Sequence, residues 1–173
     1  MKIIDKLRKL LSAARMPGGY RSKVAINANV HMRAWDPEGN LKSDVWGNNI
    51  TCDEGLEVLT EHMHDANHTR GQFDVIEVGS DATAPAAGDV GCTVPITTSG
   101  LGKATGTYAD TGTGVCTMTK SFSVSGTESV KETAILNDVG GTEECFAHVL
   151  TGTVDVSNGD TLEVEWTITY TST

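Results

Sequence analysis

The sequence predicts a mainly β chain: an antiparallel β-sandwich, with the jelly-roll as one form of it, carrying one short internal helix and an N-terminal amphipathic helical arm. Three observations carry that expectation. The 173 residues include 19 Gly and 23 Thr, a composition suited to many short strands joined by tight turns. Apolar and polar residues alternate strictly at both ends of the body. Charge is divided along the chain: the first 42 residues hold nine of the thirteen Lys and Arg but three of the 23 Asp and Glu, so a net +6 head precedes a net −16 remainder.

Residues 1–22 form the arm. Ile3, Ile4, Leu7, Leu10, Leu11 and Ala14 recur at helical spacing, while Lys2, Lys6, Arg8, Lys9 and Arg15 lie mainly elsewhere on the wheel. That pattern predicts a short basic amphipathic helix. It has three possible uses: docking on a partner subunit, lying on a membrane surface, or packing on its own body. Pro17, Gly18 and Gly19 end the helix and free the arm to swing.

The body, residues 23–173, opens on a half-buried strand from Lys23 to Arg33. Val24, Ile26, Ala28, Val30 and Met32 share one face, and Asn27, Asn29 and His31 the other. Turn residues from Asp36 to Asn40 lead into a second strand, Leu41 to Trp46, which predicts a hairpin. Thr51 or Asp53 is placed to cap a helix running through Leu56, Leu59 and Met63 to Ala66. Strands are then expected at Phe73 to Val78, around Val94, and at Lys103 to Tyr108, Val115 to Val124, Val130 to Leu136, Cys145 to Leu150 and Leu162 to Tyr170. In the last of these Leu162, Val164, Trp166, Ile168 and Tyr170 face one way, opposite Glu163, Glu165, Thr167 and Thr169. Residues 97–114, nearly all Thr, Ser, Gly and Ala, read as a mobile or partner-braced loop.

Composition and motifs exclude more chemistry than they suggest. With a net charge of −10 and a pI near 4.8, the body repels nucleic acid, and only the first forty or so residues offer a phosphate-neutralising footprint. Cys52, Cys92, Cys116 and Cys145 form no CxxC pair and have no His at finger spacing, so buried thiols are expected rather than a zinc module. No run of 18 apolar residues occurs; neither a membrane span nor a signal segment is expected, and synthesis in the cytoplasm is.

Ser99 to Thr105 looks like a phosphate loop, but Thr97 stands where the motif needs Gly and Ala104 where it needs Ser or Thr. His62, His64 and His68, beside Glu61 and Asp65, are the densest metal-capable group, and a solvated helix face is their blander reading. Asp155, Asn158 and Asp160, like Asp36, Glu38 and Asn40, read as turn formers rather than calcium ligands. No nucleophile motif is present, and His31 and His148 fall on separate strands. No enzyme, cofactor or metal is therefore expected. Trp166 reads as core, while Trp35 and Trp46 stay open.

Two stretches resemble structural proteins of tailed phages. From Phe73 to Cys92 a strand ending in Gly79 leads into a loop containing Thr83, Ala84, Pro85 and a later Asp89. From Val130 to Asn137, Cys145 to Leu150 and Val156 to Tyr170, a strand containing Glu132 precedes a short loop, and Gly159, Asp160, Leu162, Val164 and Trp166 mark the closing strand. The likeness spans residues 45–172 or so and leaves out the arm; Ala134 stands where such proteins often have Gly, and His148 where they often have Arg.

The resemblance implies a virion structural or tail-fibre protein, made in the host cytoplasm and resident in the particle. The expected function is non-enzymatic: a displayed β-sandwich whose arm docks on capsid, neck or tail subunits, as part of a homo-oligomer. Ile3, Leu7, Leu10 and Leu11 would anchor the arm, and Lys2, Lys6, Arg8, Lys9 and Arg15 would steer it. The alternative is a host-receptor or glycan-binding tip. Neither a membrane nor nucleic acid is an expected partner.

Overall fold

The computed structural model describes residues 24–66, 70–139 and 142–172; the arm, with its docking residues, and His68 lie outside the described residues. Two five-stranded antiparallel sheets face each other. The first has β2 (Leu41–Asn48), β1 (Val24–Trp35), β10 (Thr161–Ser172), β7 (Val115–Ser123) and β6 (Thr107–Gly112) in that order. The second runs β3 (Ile50–Thr51), β9 (Thr142–Val156), β8 (Glu128–Val139), β4 (Val75–Gly79) and β5 (Ala104–Thr105). The expected β-sandwich is therefore present.

The alternating segments become the central strands because one face of each can be buried completely. β1 pairs with β10 along its whole length, from Val24 opposite Ser172 to Trp35 opposite Thr161. That register puts Ala28, Val30, Met32 and Ala34 beside Leu162, Val164, Trp166 and Ile168, all buried. They meet Ile76, Val78, Ile135, Phe146, Val149 and Val154 from the second sheet in one continuous core. Full burial of such side chains contributes roughly 1.5–3 kcal/mol each. The opposite face of the first sheet is wet: Arg33 pairs with Glu163, and His31 hydrogen-bonds Asp44 at 2.7 Å while stacking on Trp46 at 3.9 Å. Of the two Trp left open, Trp46 is exposed and Trp35 lies partly buried beneath Arg33.

The helix α1 spans Asp53–His64 and stops before the expected Ala66. Its N-cap is Cys52, with no side-chain cap, rather than Thr51 or Asp53. Thr51 is held instead in β3, opposite Ala147, and Asp53 already lies in the first turn, where its charge favours the helix dipole. Gly55 lets the helix sit against β9, since a Cβ there would lie 2.7 Å from the Phe146 Cα. Arg70 returns the chain to this surface through Glu61 at 3.1 Å and Glu144 at 2.9 Å.

Two other expectations are corrected. The strand expected at Lys103 to Tyr108 divides at Gly106 into β5 and β6, one in each sheet. Gly106 suits that crossing because a Cβ would meet Met118 at 2.7 Å. The tract 97–114, read as a loop, thus holds two strands and the fully buried Leu101. Around Val94 there is only an isolated bridge, Gly79 to Pro95, because the segment is covering a sheet rather than joining it.

The turn before β10 is fixed by charge. Asp160 accepts the Ser157 amide at 2.7 Å and pairs with Lys42 of β2. The Lys42 contact, joined by the Ser157 amide and opposed by burial, holds the Asp160 carboxyl below the ordinary value of 3.8. Because the folded value is depressed, its stabilisation is present above the unfolded value and is lost as pH falls through it towards the folded one. Asp160→Asn should cost about 1 kcal/mol at neutral pH in urea denaturation. The difference from wild type should shrink below pH 3.8, whereas a gap that is constant with pH would contradict the assignment.

Candidate functional site

The outer face of the second sheet is as well buried as the inner one. On β8 every residue from Glu132 to Asn137 is buried, which requires cover on both faces. The cover is α1 and the connection from Ser80 towards β5. Beneath it Cys52, Val75, Cys92, Ala134, Leu136 and Cys145 form a second, smaller apolar cluster. The Cys52 and Cys145 sulfurs lie 3.1 Å apart within it.

Beside this cluster sits a group of buried polar side chains. Glu77 and Gly79 on β4 stand opposite Ala134 and Glu132 on β8, and Ala134 stands opposite His148 on β9. Strict alternation would place Cys145 and His148 on opposite faces. An irregularity between Ile135 and Leu136 absorbs one residue of β9, so both point outward while Phe146 and Ala147 enter the main core. Gly79 leaves the room that Glu132 needs, since a Cβ there would approach its Oε1 to 2.4 Å.

Glu132 is wholly buried, and its carboxylate collects donors from the covering loop. Oε1 accepts the amides of Val94 at 3.0 Å and Asp81 at 3.2 Å. Oε2 accepts the Thr93 amide at 2.9 Å and faces His148 Nε2 at 2.9 Å. The other ring nitrogen, Nδ1, lies 2.7 Å from Asp89 Oδ2, whose same oxygen accepts the Ala86 amide at 2.7 Å. Glu77 Oε2 accepts the Cys92 amide at 2.8 Å, and its own backbone carbonyl accepts the Thr133 hydroxyl at 2.6 Å. The amides of Asp81, Cys92, Thr93 and Val94 and the carboxylate of Asp89 join the loop to the sheet.

Environment sets the charges. Burial raises the Glu77 carboxyl above its ordinary range, against the pull of the Cys92 hydrogen bonds. Burial pushes Asp89 up as well, but the Ala86 amide and His148 outweigh it and leave that carboxyl lowered. The Cys92 thiol is driven well upward by burial and by the neighbouring Glu77 and Glu132 charges. A thiol so held is no nucleophile. The cluster therefore braces the covering loop against the second sheet.

The residues singled out from the sequence meet this site only in part. Cys92 and His148 belong to it. His62 points instead at the Arg70 carbonyl, 3.1 Å away, and His64 is exposed. Cys52, Cys92 and Cys145 are buried as expected, and Cys116 only partly so. Glu77 and Glu132 were not singled out as site residues; Glu77 is the one charged residue of β4, and Glu132 directly precedes the buried run Thr133 to Asn137 of β8. Ser99, from the phosphate-loop look-alike, donates to Glu128 at 2.7 Å and sits in a tight turn with φ +59°.

A second feature is an apolar groove of about 290 Å³ at the end of the sandwich where β1 begins. Leu59, Phe73, Phe146, Tyr108, Met118 and Tyr170 line it, with Gln72 and Asp74 also contributing. Tyr170 stands opposite Ile26, two residues from Val24, so β1 begins beside this groove. Compared with family models, curated proteins and solved structures, the chain matches none of them.

Removing the Glu132 charge should expose how much rests on it. Glu132→Gln turns an acceptor towards donors, because its amide nitrogen must face either the Thr93 amide and His148 or the amides of Asp81 and Val94. The expected loss is about 3 kcal/mol in denaturant unfolding. Glu163→Gln on the wet face should cost less than about 1 kcal/mol. Equal effects of the two substitutions would show that the buried carboxylate is not special.

Proposed function

We propose that this chain is a non-enzymatic structural component of a tailed-phage particle, a displayed β-sandwich that docks on neighbouring capsid, neck or tail subunits through its basic arm. One observation supports the reading above others. Residues 1–23 carry seven Lys and Arg and one Asp, a net +6, while residues 24–173 carry six against 22 Asp and Glu, a net −16. Opposite charges of that size on two parts of one chain favour association between copies, or with other acidic subunits, over a lone body. The groove beside the start of β1 gives the sequence's apolar anchors a surface of the right chemistry, on the same or an adjacent copy. The resemblance of residues 73–92 and 130–170 to phage structural proteins supplies the particle.

A receptor- or glycan-binding tip is the second reading. The exposed Trp46, stacked on His31, and the Tyr108 and Tyr170 rings at the groove favour it, since sugars stack on such faces.

Deleting residues 1–22 separates the two. In the docking reading, the truncated chain keeps its melting temperature within a few degrees but is lost from assembled particles, measured as copy number by quantitative mass spectrometry. Incorporation at the normal copy number would overturn the docking arm, and binding of the truncated body to a glycan array would move the assignment to the second reading.

A further inference from the structure

We propose that Cys92, Glu132 and His148 form a buried site for a borderline divalent cation of the zinc class. One ligand atom from each residue, a sulfur, an oxygen and a nitrogen, lies within 4.8 Å of the other two, and all three residues are buried. Ligand atoms around a four-coordinate zinc ion stand about 3.5 Å apart, so small shifts of side chains bring the three to bonding distance. Thiolate, imidazole and carboxylate together suit zinc rather than calcium or magnesium, which take oxygen alone.

The surroundings are those a metal site requires. His148 gives Nδ1 to Asp89 at 2.7 Å, which turns Nε2 inwards to the place where a cation would sit. Glu132 is aimed by three loop amides, and Cys92 by its amide on Glu77. Electrostatics point the same way: two carboxylates, Asp89 and Glu132, meet the two nitrogens of a single imidazole, and a third, Glu77, holds the Cys92 amide beside them. A dication offsets that excess better than a proton does.

Binding is an exchange of protons for metal. The Cys92 thiol gives up its proton to become the thiolate ligand as the cation enters, and nothing is oxidised or reduced. The cation joins β8 and β9 to the covering loop, so it acts as a staple.

Zinc titration of the full-length chain, first stripped by chelator, tests this. Elemental analysis should find about one zinc per chain after dialysis, and excess zinc should raise the melting temperature by about 5 °C or more. Cobalt(II) in place of zinc should give a thiolate-to-cobalt absorption band. Cys92→Ser should abolish that band and the thermal response, while Cys145→Ser, which breaks the neighbouring thiol pair, should keep both. A wild-type chain that retains no zinc and does not shift overturns the proposal, as does a Cys92→Ser variant that binds like wild type. If Cys92→Ser fails to fold, zinc-edge X-ray absorption of the wild type decides: one sulfur with nitrogen and oxygen ligands supports the site, and two sulfurs or none overturns it.

Discussion

The carboxylate of Glu132 is the point on which the outer layer of this protein depends. A fully buried carboxylate is costly unless its lone pairs are occupied, with a penalty of several kcal/mol. Here the amides of Asp81, Thr93 and Val94 and the ring of His148 occupy them, and hydrogen bonds to a charged group contribute about 1.5–3 kcal/mol each. The relation runs both ways. Residues 80–94 form no ladder with the sheet, so their amides need a partner, and an ionised carboxylate accepts without competing as a donor. Without Glu132 the loop loses three of the amide contacts that hold it over Ala134, Leu136 and Cys145, leaving Glu77 and Asp89 to keep that apolar face from water.

That constraint divides the molecule into faces with different work. The second sheet is closed on its outer side by the loop and α1, while the first sheet keeps a wet outer face where Arg33, Glu163, His31 and Trp46 meet solvent. The β1–β10 pairing ties the two ends of the body together along twelve residues each, so a pull on the arm is borne by the longest ladder of the first sheet. The groove lies at the end of that ladder. A body built this way is suited to being held at one end, which is the mechanical sense of the proposed arm.

How much of this was readable depended on how local the cause was. β1 and β10 were legible almost to their ends, because period-two alternation from Val24 to Met32 and from Leu162 to Tyr170 reports one buried face directly. The helix through Leu56 and Leu59 was legible too, but not its cap, because Cys52 was claimed by contact with Cys145 across the fold. The division at Gly106 was hidden, since nothing in a run of Thr and Gly says that the chain changes sheets there. The site was the least legible part. Glu77, Glu132 and His148 are brought together by register, and the phase of His148 is set by an irregularity in β9 that no local pattern announces. Their signal was faint: only Glu77 stands as a charged residue inside an otherwise apolar strand, where alternation alone would have put it in solvent.

Amide hydrogen exchange on the unmodified chain tests the clamp most directly. Thr93 and Val94 are exposed residues in an irregular connection, so without a buried acceptor their amides would exchange through local opening, far faster than those of β8. The amides of Asp81, Thr93 and Val94 should exchange as slowly as those of Ile135 and Leu136, through the same global unfolding. Fast exchange at these three amides, with β8 still protected, would contradict the clamp.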